Sequence, residues 1–150
     1  MVEQLEERSE EFGFLGATDW MGAARESRNT TLNVMYFKSY QGVHAYAQSQ
    51  LHREAWNWYN NDLAKDGQFG IFHELYQVPS GNWETVYANI QPTGLSSTMH
   101  QVTNEEGNKV WMTPIVDASK GLLKSSRGRM SRSDGKDTEN LGLADFQAKA

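Results

Sequence analysis

The spacing of apolar residues divides the chain into short elements of alternating type. In Met1–Phe12, Val2, Leu5 and Phe12 fall near one helical face, and Glu3, Glu6, Glu7, Glu10 and Glu11 fill the rest. Gly13 and Gly16 bracket Phe14-Leu15, and the stretch on to Trp20 reads as a strand with a bulge, followed by a polar loop at Arg25–Asn29. Thr30–Lys38, rich in β-branched and aromatic residues, predicts a second strand. Ser39 is placed to cap a long helix from Tyr40 to Ala64, whose stripe would be Val43, Ala47, Leu51, Ala55 and Trp58, with Gly67 ending it.

Further on, Phe69–Val78 reads as a strand buried on both faces. Phe69, Ile71, His73 and Leu75 point one way, and Phe72, Glu74, Tyr76 and Val78 the other. Pro79-Ser80-Gly81-Asn82 has turn chemistry, and Trp83–Ile90 returns from it as a strand. Beyond that only Val110-Trp111-Met112 has strand character. The order helix, strand, strand, helix, strand, strand is one step short of a ferredoxin-like β-α-β-β-α-β unit, and a strand ahead of Met1 would complete it.

The 150 residues amount to one domain of material, expected over residues 1–123, with a polar, disordered tail at residues 124–150. All aromatic residues but Phe146 lie before residue 112, which places the folded body there. The net charge of −5 is uneven: residues 1–123 carry eight basic and fifteen acidic groups, the remainder six and four. Such a body repels phosphate, so no nucleic-acid partner is expected. No apolar run approaches the ~20 residues of a membrane span. With no cysteine and an acidic opening unlike a signal peptide, the expected setting is the cytoplasm.

Chemistry narrows by exclusion. The absence of cysteine removes thiolate metal sites and thiol nucleophiles. Gly67-Gln68-Phe69-Gly70 lacks the spacing and lysine of a phosphate loop, and no Gly-x-Ser-x-Gly is present. His73 and Glu74 alternate across a strand and cannot chelate one ion, so no dedicated metal site is expected. His73, on an apolar face, is either a core histidine or a proton carrier lining a cavity. His52 would share a helix side with His44, Trp56 and Tyr59. The aromatic groups Trp56, Trp58, Tyr59 and Tyr76, Trp83, Tyr87 serve equally as core or as walls for a planar ligand.

Several blocks, taken in order, resemble one family. They are Glu10-Glu11-Phe12-Gly13-Phe14-Leu15-Gly16, Leu51-His52-Arg53-Glu54-Ala55-Trp56, His73-Glu74-Leu75-Tyr76-Gln77-Val78-Pro79, and Asn82-Trp83-Glu84-Thr85-Val86-Tyr87-Ala88-Asn89. Pro114-Ile115-Val116-Asp117 and Ser125-Ser126-Arg127-Gly128-Arg129-Met130 extend the likeness to about residue 130. Together they are similar to the monooxygenase-like domain family of fungal secondary metabolism, within the dimeric α+β barrel superfamily. The resemblance implies an α+β fold, a ferredoxin-like half of a dimeric barrel lacking its first strand, and assembly as a homodimer. It also implies an oxidoreductase acting on a small polyketide or terpenoid substrate without a resident cofactor. By this resemblance the site takes His73, Tyr76, Trp83 and Asn89, with Glu74 or Glu84 as orienting carboxylates. Heme aldoxime dehydratases of the same superfamily imply an alternative, a lyase with His52 as axial ligand to heme and His73, 21 residues on, as catalytic group. A shortened, non-catalytic dimerising module is the third expectation.

Overall fold

The computed structural model describes residues 2–79, 82–115, 118–119 and 121–130. The chain divides into two compact units, Met1–Tyr76 and Gln77–Ala150.

The first unit opens with two short helices, α1 (Val2–Glu7) and α2 (Ser9–Phe12), where the apolar spacing had implied one. Arg8 interrupts them with φ −111° and ψ 26°. Its guanidinium then folds back, donating to both Glu11 carboxylate oxygens at 2.8 and 2.7 Å and covering the Phe12 ring at 5.0 Å. Gly13 ends α2 in the left-handed region, φ 62°, which glycine enters without a Cβ clash. The expected apolar face is the one that packs, with Leu5 fully buried and Phe12 nearly so.

Strands β1 (Phe14–Met21) and β2 (Thr31–Phe37) pair antiparallel, Ala17 opposite Met35 and Trp20 opposite Leu32, with the expected bulge between Phe14 and Gly16. The tight connection at Arg25–Ser27 runs into Arg28 and Asn29, both at positive φ, before Thr30 turns the chain back.

Ser39 caps the next helix as expected, its Oγ accepting from the Gly42 N–H at 3.2 Å. The helix does not run on to Ala64. Ser49 adopts an extended conformation (ψ 156°) and caps a second helix by accepting from the His52 N–H, so the segment is α3 (Tyr40–Gln48) and α4 (Gln50–Trp58). A single π-helical turn, Tyr59–Leu63, follows, and Gly67 closes the segment at φ 70°. The break rotates the apolar stripe. Tyr46 is the buried residue of α3, whereas Ala47 and Trp58, both expected inside, are exposed.

Leu5, Phe12, Phe14 and Tyr46 form the core, flanked by Val2, Ala17, Met35, Phe37 and Leu51. The rings meet edge-on, Phe12 with Tyr46 at 5.7 Å and Phe14 with Phe37 at 5.4 Å.

Residues 68–79 and 82–90 join no β-ladder among the described residues, which corrects the two strands expected there. Burial on both faces is also overturned: Ile71 and Phe72 are each 58% exposed and Tyr76 78%. Alternating apolar residues favour a strand only where a neighbouring strand supplies hydrogen bonds, and among the described residues none pairs with this run. The Asn82 N–H does donate to the Pro79 carbonyl at 3.2 Å, as the turn chemistry suggests; Ser80 and Gly81 lie outside the described residues.

In the second unit, β3 (His100–Thr103) and β4 (Lys109–Met112) form a hairpin, Gln101 opposite Trp111. Only β4 had a strand signature. Asn104 closes the turn, accepting the Asn108 N–H on its Oδ1 at 2.8 Å, with Gly107 at φ 82°. A tight turn at Gly121–Lys124, with Leu123 buried, leads to α5 (Ser126–Met130). Of the expected disordered tail, residues 131–150 lie outside the described residues. The fold is α+β, with small antiparallel sheets and helices compatible with a ferredoxin-like half domain. No helix among the described residues is long and apolar enough to cross a membrane.

The α2–α3 contact is tight enough to test. A Cβ at Gly42 would lie 2.0 Å from the Phe12 carbonyl oxygen, a backbone atom that cannot swing aside. Gly42→Ala should destabilise the protein by ~1–3 kcal/mol through overpacking, read as a fall in melting temperature. An unchanged or raised melting temperature would show that α3 does not press on Phe12.

Candidate functional site

The residues singled out by sequence fall into both units, and each is described within its own. In the first, His73, Glu74 and Tyr76 lie on the extended run after Gly67 and all three are exposed. In an extended backbone, residues two apart share a side, and this brings Glu74 and Tyr76 together. The Tyr76 hydroxyl donates to Glu74 Oε2 at 2.6 Å. That hydrogen bond, and the carboxylate's charge beside it, raise the phenol's pKa above its ordinary value. The run is anchored at its start, where the Tyr59 hydroxyl donates to the Phe69 carbonyl at 3.0 Å and the Tyr59 ring stacks on Trp56 at 5.5 Å.

His52 stands on the first turn of α4, half-buried, its ring edge-on to Tyr46 at 5.2 Å. The break at Ser49 puts His44 on a different helix, where its ring meets Tyr40 at 4.3 Å instead of lining up with His52. Tyr46 was not anticipated. It is 6% exposed, and its hydroxyl has no hydrogen-bond partner among the described residues. Burial pushes the phenol's pKa up. Only the helix break at Ser49, itself a cap-type residue within a helical pattern, could have signalled it.

In the second unit, Trp83 is 39% exposed, and Asn89 is exposed and in the left-handed region, φ 52°. Glu84, expected to orient a catalytic group, has its carboxylate taken up elsewhere. Ser126 Oγ donates to Oε2 at 2.5 Å, and Arg129 donates through Nε to Oε1 at 2.6 Å. These donors, Ser126 first and Arg129 next, hold the Glu84 acid below its usual range. Tyr87 is tied in as well, its oxygen accepting the Ser96 N–H at 3.2 Å. Among the described residues no group of three or more His, Asp or Glu is placed to hold a metal ion.

Residues 1–95 match the model of the Monooxygenase af470-like family. Over 135 residues the chain is 35% identical to Monooxygenase af470 of Aspergillus fumigatus, an alignment covering 89% of this chain and 48% of that protein. The chain thus spans about half the length of the curated relative it matches. No solved structure matches it significantly.

Two outcomes follow from this geometry. Removing an unpartnered buried hydroxyl removes a desolvation cost, so Tyr46→Phe should leave the melting temperature unchanged or raise it, by up to ~1 kcal/mol in stability. A clear loss would mean the hydroxyl has a partner. Because the folded Glu84 acid is depressed, its stabilisation is full above the unfolded carboxylate pKa and disappears as pH falls through the lower folded value. Melting curves across the acid range should therefore show a smaller loss for Glu84→Gln than for the wild type; parallel pH profiles would contradict the pairing.

Proposed function

The chain belongs to the Monooxygenase af470-like family, and on that premise we propose that it is a monooxygenase-like oxidoreductase acting on a small secondary metabolite of polyketide or terpenoid type. The observation carrying this reading is the exposed run that presents His73 beside Phe69, Ile71 and Leu75 on one side and the Tyr76–Glu74 pair beside Phe72 on the other. Apolar walls with a few proton-handling groups suit an electron-rich planar substrate.

In this reading no resident cofactor is needed. His73 removes a proton from an acidic methylene of a substrate lying on its own side of the run, beside Phe69, Ile71 and Leu75, and the charge spreads over the substrate's own conjugated oxygens. Glu74 and Tyr76 lie on the other side, bonded to each other, and take no part in that step. The electron-rich anion then reacts with dioxygen; one oxygen atom ends as a carbonyl on the former methylene carbon and the other leaves in water. Trp83 and Asn89 enter the reading through the sequence resemblance alone. His52 has a packing role here, its ring edge supporting Tyr46, and no observation favours the heme-bound lyase.

The same run supports a homodimer. Phe69, Ile71, Phe72, Leu75, Tyr76 and Val78 form an apolar stretch too long to leave in water, and its alternation on both faces suits a strand inserted in a sheet with both sides covered. A second copy of the chain is the proposed partner, and it would shield the site from bulk water. The cysteine-free composition fits a cytoplasmic setting.

The test is oxygen uptake with 1,8-dihydroxyanthrone, an electron-rich methylene probe, by protein showing no Soret absorption. His73→Ala should lower turnover by ~10²–10⁴-fold, with the melting temperature unchanged because the side chain is exposed. Full turnover in the folded variant would remove His73 from the mechanism, and a Soret band in the active protein would replace this reading with the heme-dependent one.

A further inference from the structure

Glu84 is held across 42 and 45 residues of chain by two side chains of α5, and the manner of holding is specific. Ser126 Oγ donates to Glu84 Oε2 at 2.5 Å, with Met130 Sδ a longer, second acceptor at 3.8 Å, while Arg129 approaches Oε1 through both Nε (2.6 Å) and Nη2 (2.5 Å). Arg129 Nη1 turns the other way and donates to the carbonyls of Leu123 and Lys124 at 2.9 and 3.1 Å. The guanidinium therefore ties the start of the segment after Asn82 to the turn around Leu123. The neighbouring Ser125 differs: its hydroxyl donates to the Leu122 carbonyl and accepts the Gly128 N–H, both local helix-end contacts. Ser126 is exposed and stands among Lys124, Arg127 and Arg129.

We propose that Ser126 is a phosphorylation site that opens the Glu84–Arg129 clasp. A serine/threonine kinase selecting basic flanking residues would transfer the γ-phosphoryl group of ATP. The bond from the γ-phosphorus to its bridging oxygen breaks, the Oγ–phosphorus bond forms, ADP leaves, and the hydroxyl proton passes to the kinase's base. Two consequences follow at the clasp. The donor that bound Glu84 Oε2 is gone, and a group of about −1.5 to −2 charge faces a carboxylate. Arg129, three residues along the same helix, then has a partner of higher charge and matching fork geometry, and exchanges Glu84 for phosphate. Glu84 and the segment it leads are released.

The experiment treats the full chain, as wild type, Ser126→Ala and Ser125→Ala, with Mg·ATP and the catalytic domain of protein kinase C, and maps the phosphate by mass spectrometry. Labelling at Ser126 in the wild type and in Ser125→Ala, but not in Ser126→Ala, is the expected pattern. Chymotryptic cleavage after Trp83, the neighbour of Glu84, should then become about tenfold faster or more in the modified protein, the scale of one lost charge-assisted hydrogen bond. Ser126→Asp and Arg129→Ala should give the same acceleration without kinase. No phosphate at Ser126, labelling confined to other serines, or an unchanged rate of cleavage after Trp83 in the Ser126-modified protein would each overturn the proposal.

Discussion

The run from Gln68 to Pro79 sets the terms for the rest of the molecule, because an extended backbone satisfies its amide and carbonyl groups only against another strand or against water. Among the described residues nothing in the chain supplies that strand. The hydrophobic core reflects the same constraint. Leu5, Phe12, Phe14 and Tyr46 pack under β1 and β2, while the larger apolar content of Phe69–Ile90 stays at the surface. At ~1.5–3 kcal/mol for each large side chain removed from water, covering that stretch would stabilise the chain. The chemistry-bearing residues His73, Glu74 and Tyr76 sit on the same run, so completing the sheet and enclosing the site are one event in the proposed function.

The parts of the fold legible in the sequence were those fixed by local rules. Val2, Leu5 and Phe12 pack into the core as their spacing implies, although Arg8 puts Phe12 on a second helix; Gly13 and Gly16 around Phe14 mark a bulged strand, and Ser39 ahead of an apolar stripe is a helix cap. The α3–α4 break was hidden because Ser49 can continue a helix as well as cap one, and only the caps decided it. β3 was hidden for another reason. His100-Gln101-Val102-Thr103 has little apolar alternation, and its strand character comes from pairing with Lys109–Met112.

The site divides along the same line. Glu74 and Tyr76 meet because they are two residues apart, a relation any extended reading contains. Glu84 was expected, as one of two alternatives with Glu74, to orient the site by the family resemblance; its observed partners lie at 126 and 129, beyond any local pattern. The Tyr46 hydroxyl, without a hydrogen-bond partner among the described residues, was equally out of reach, since its burial follows from the turn at Ser49 and from the packing of Phe12 and Phe37 against its ring. Relatedness supplied what geometry did not, the family, through a match over residues 1–95 and a relative 35% identical over 135 residues.

The completion of the 68–79 run by a second copy is tested most directly by amide hydrogen exchange of those residues across a range of protein concentration. Strand pairing between copies predicts protection that grows as concentration rises and is lost on dilution, at alternate or all amides of the run. Exchange at the rate of an unstructured chain at every concentration, with the rest of the first unit protected, would contradict it.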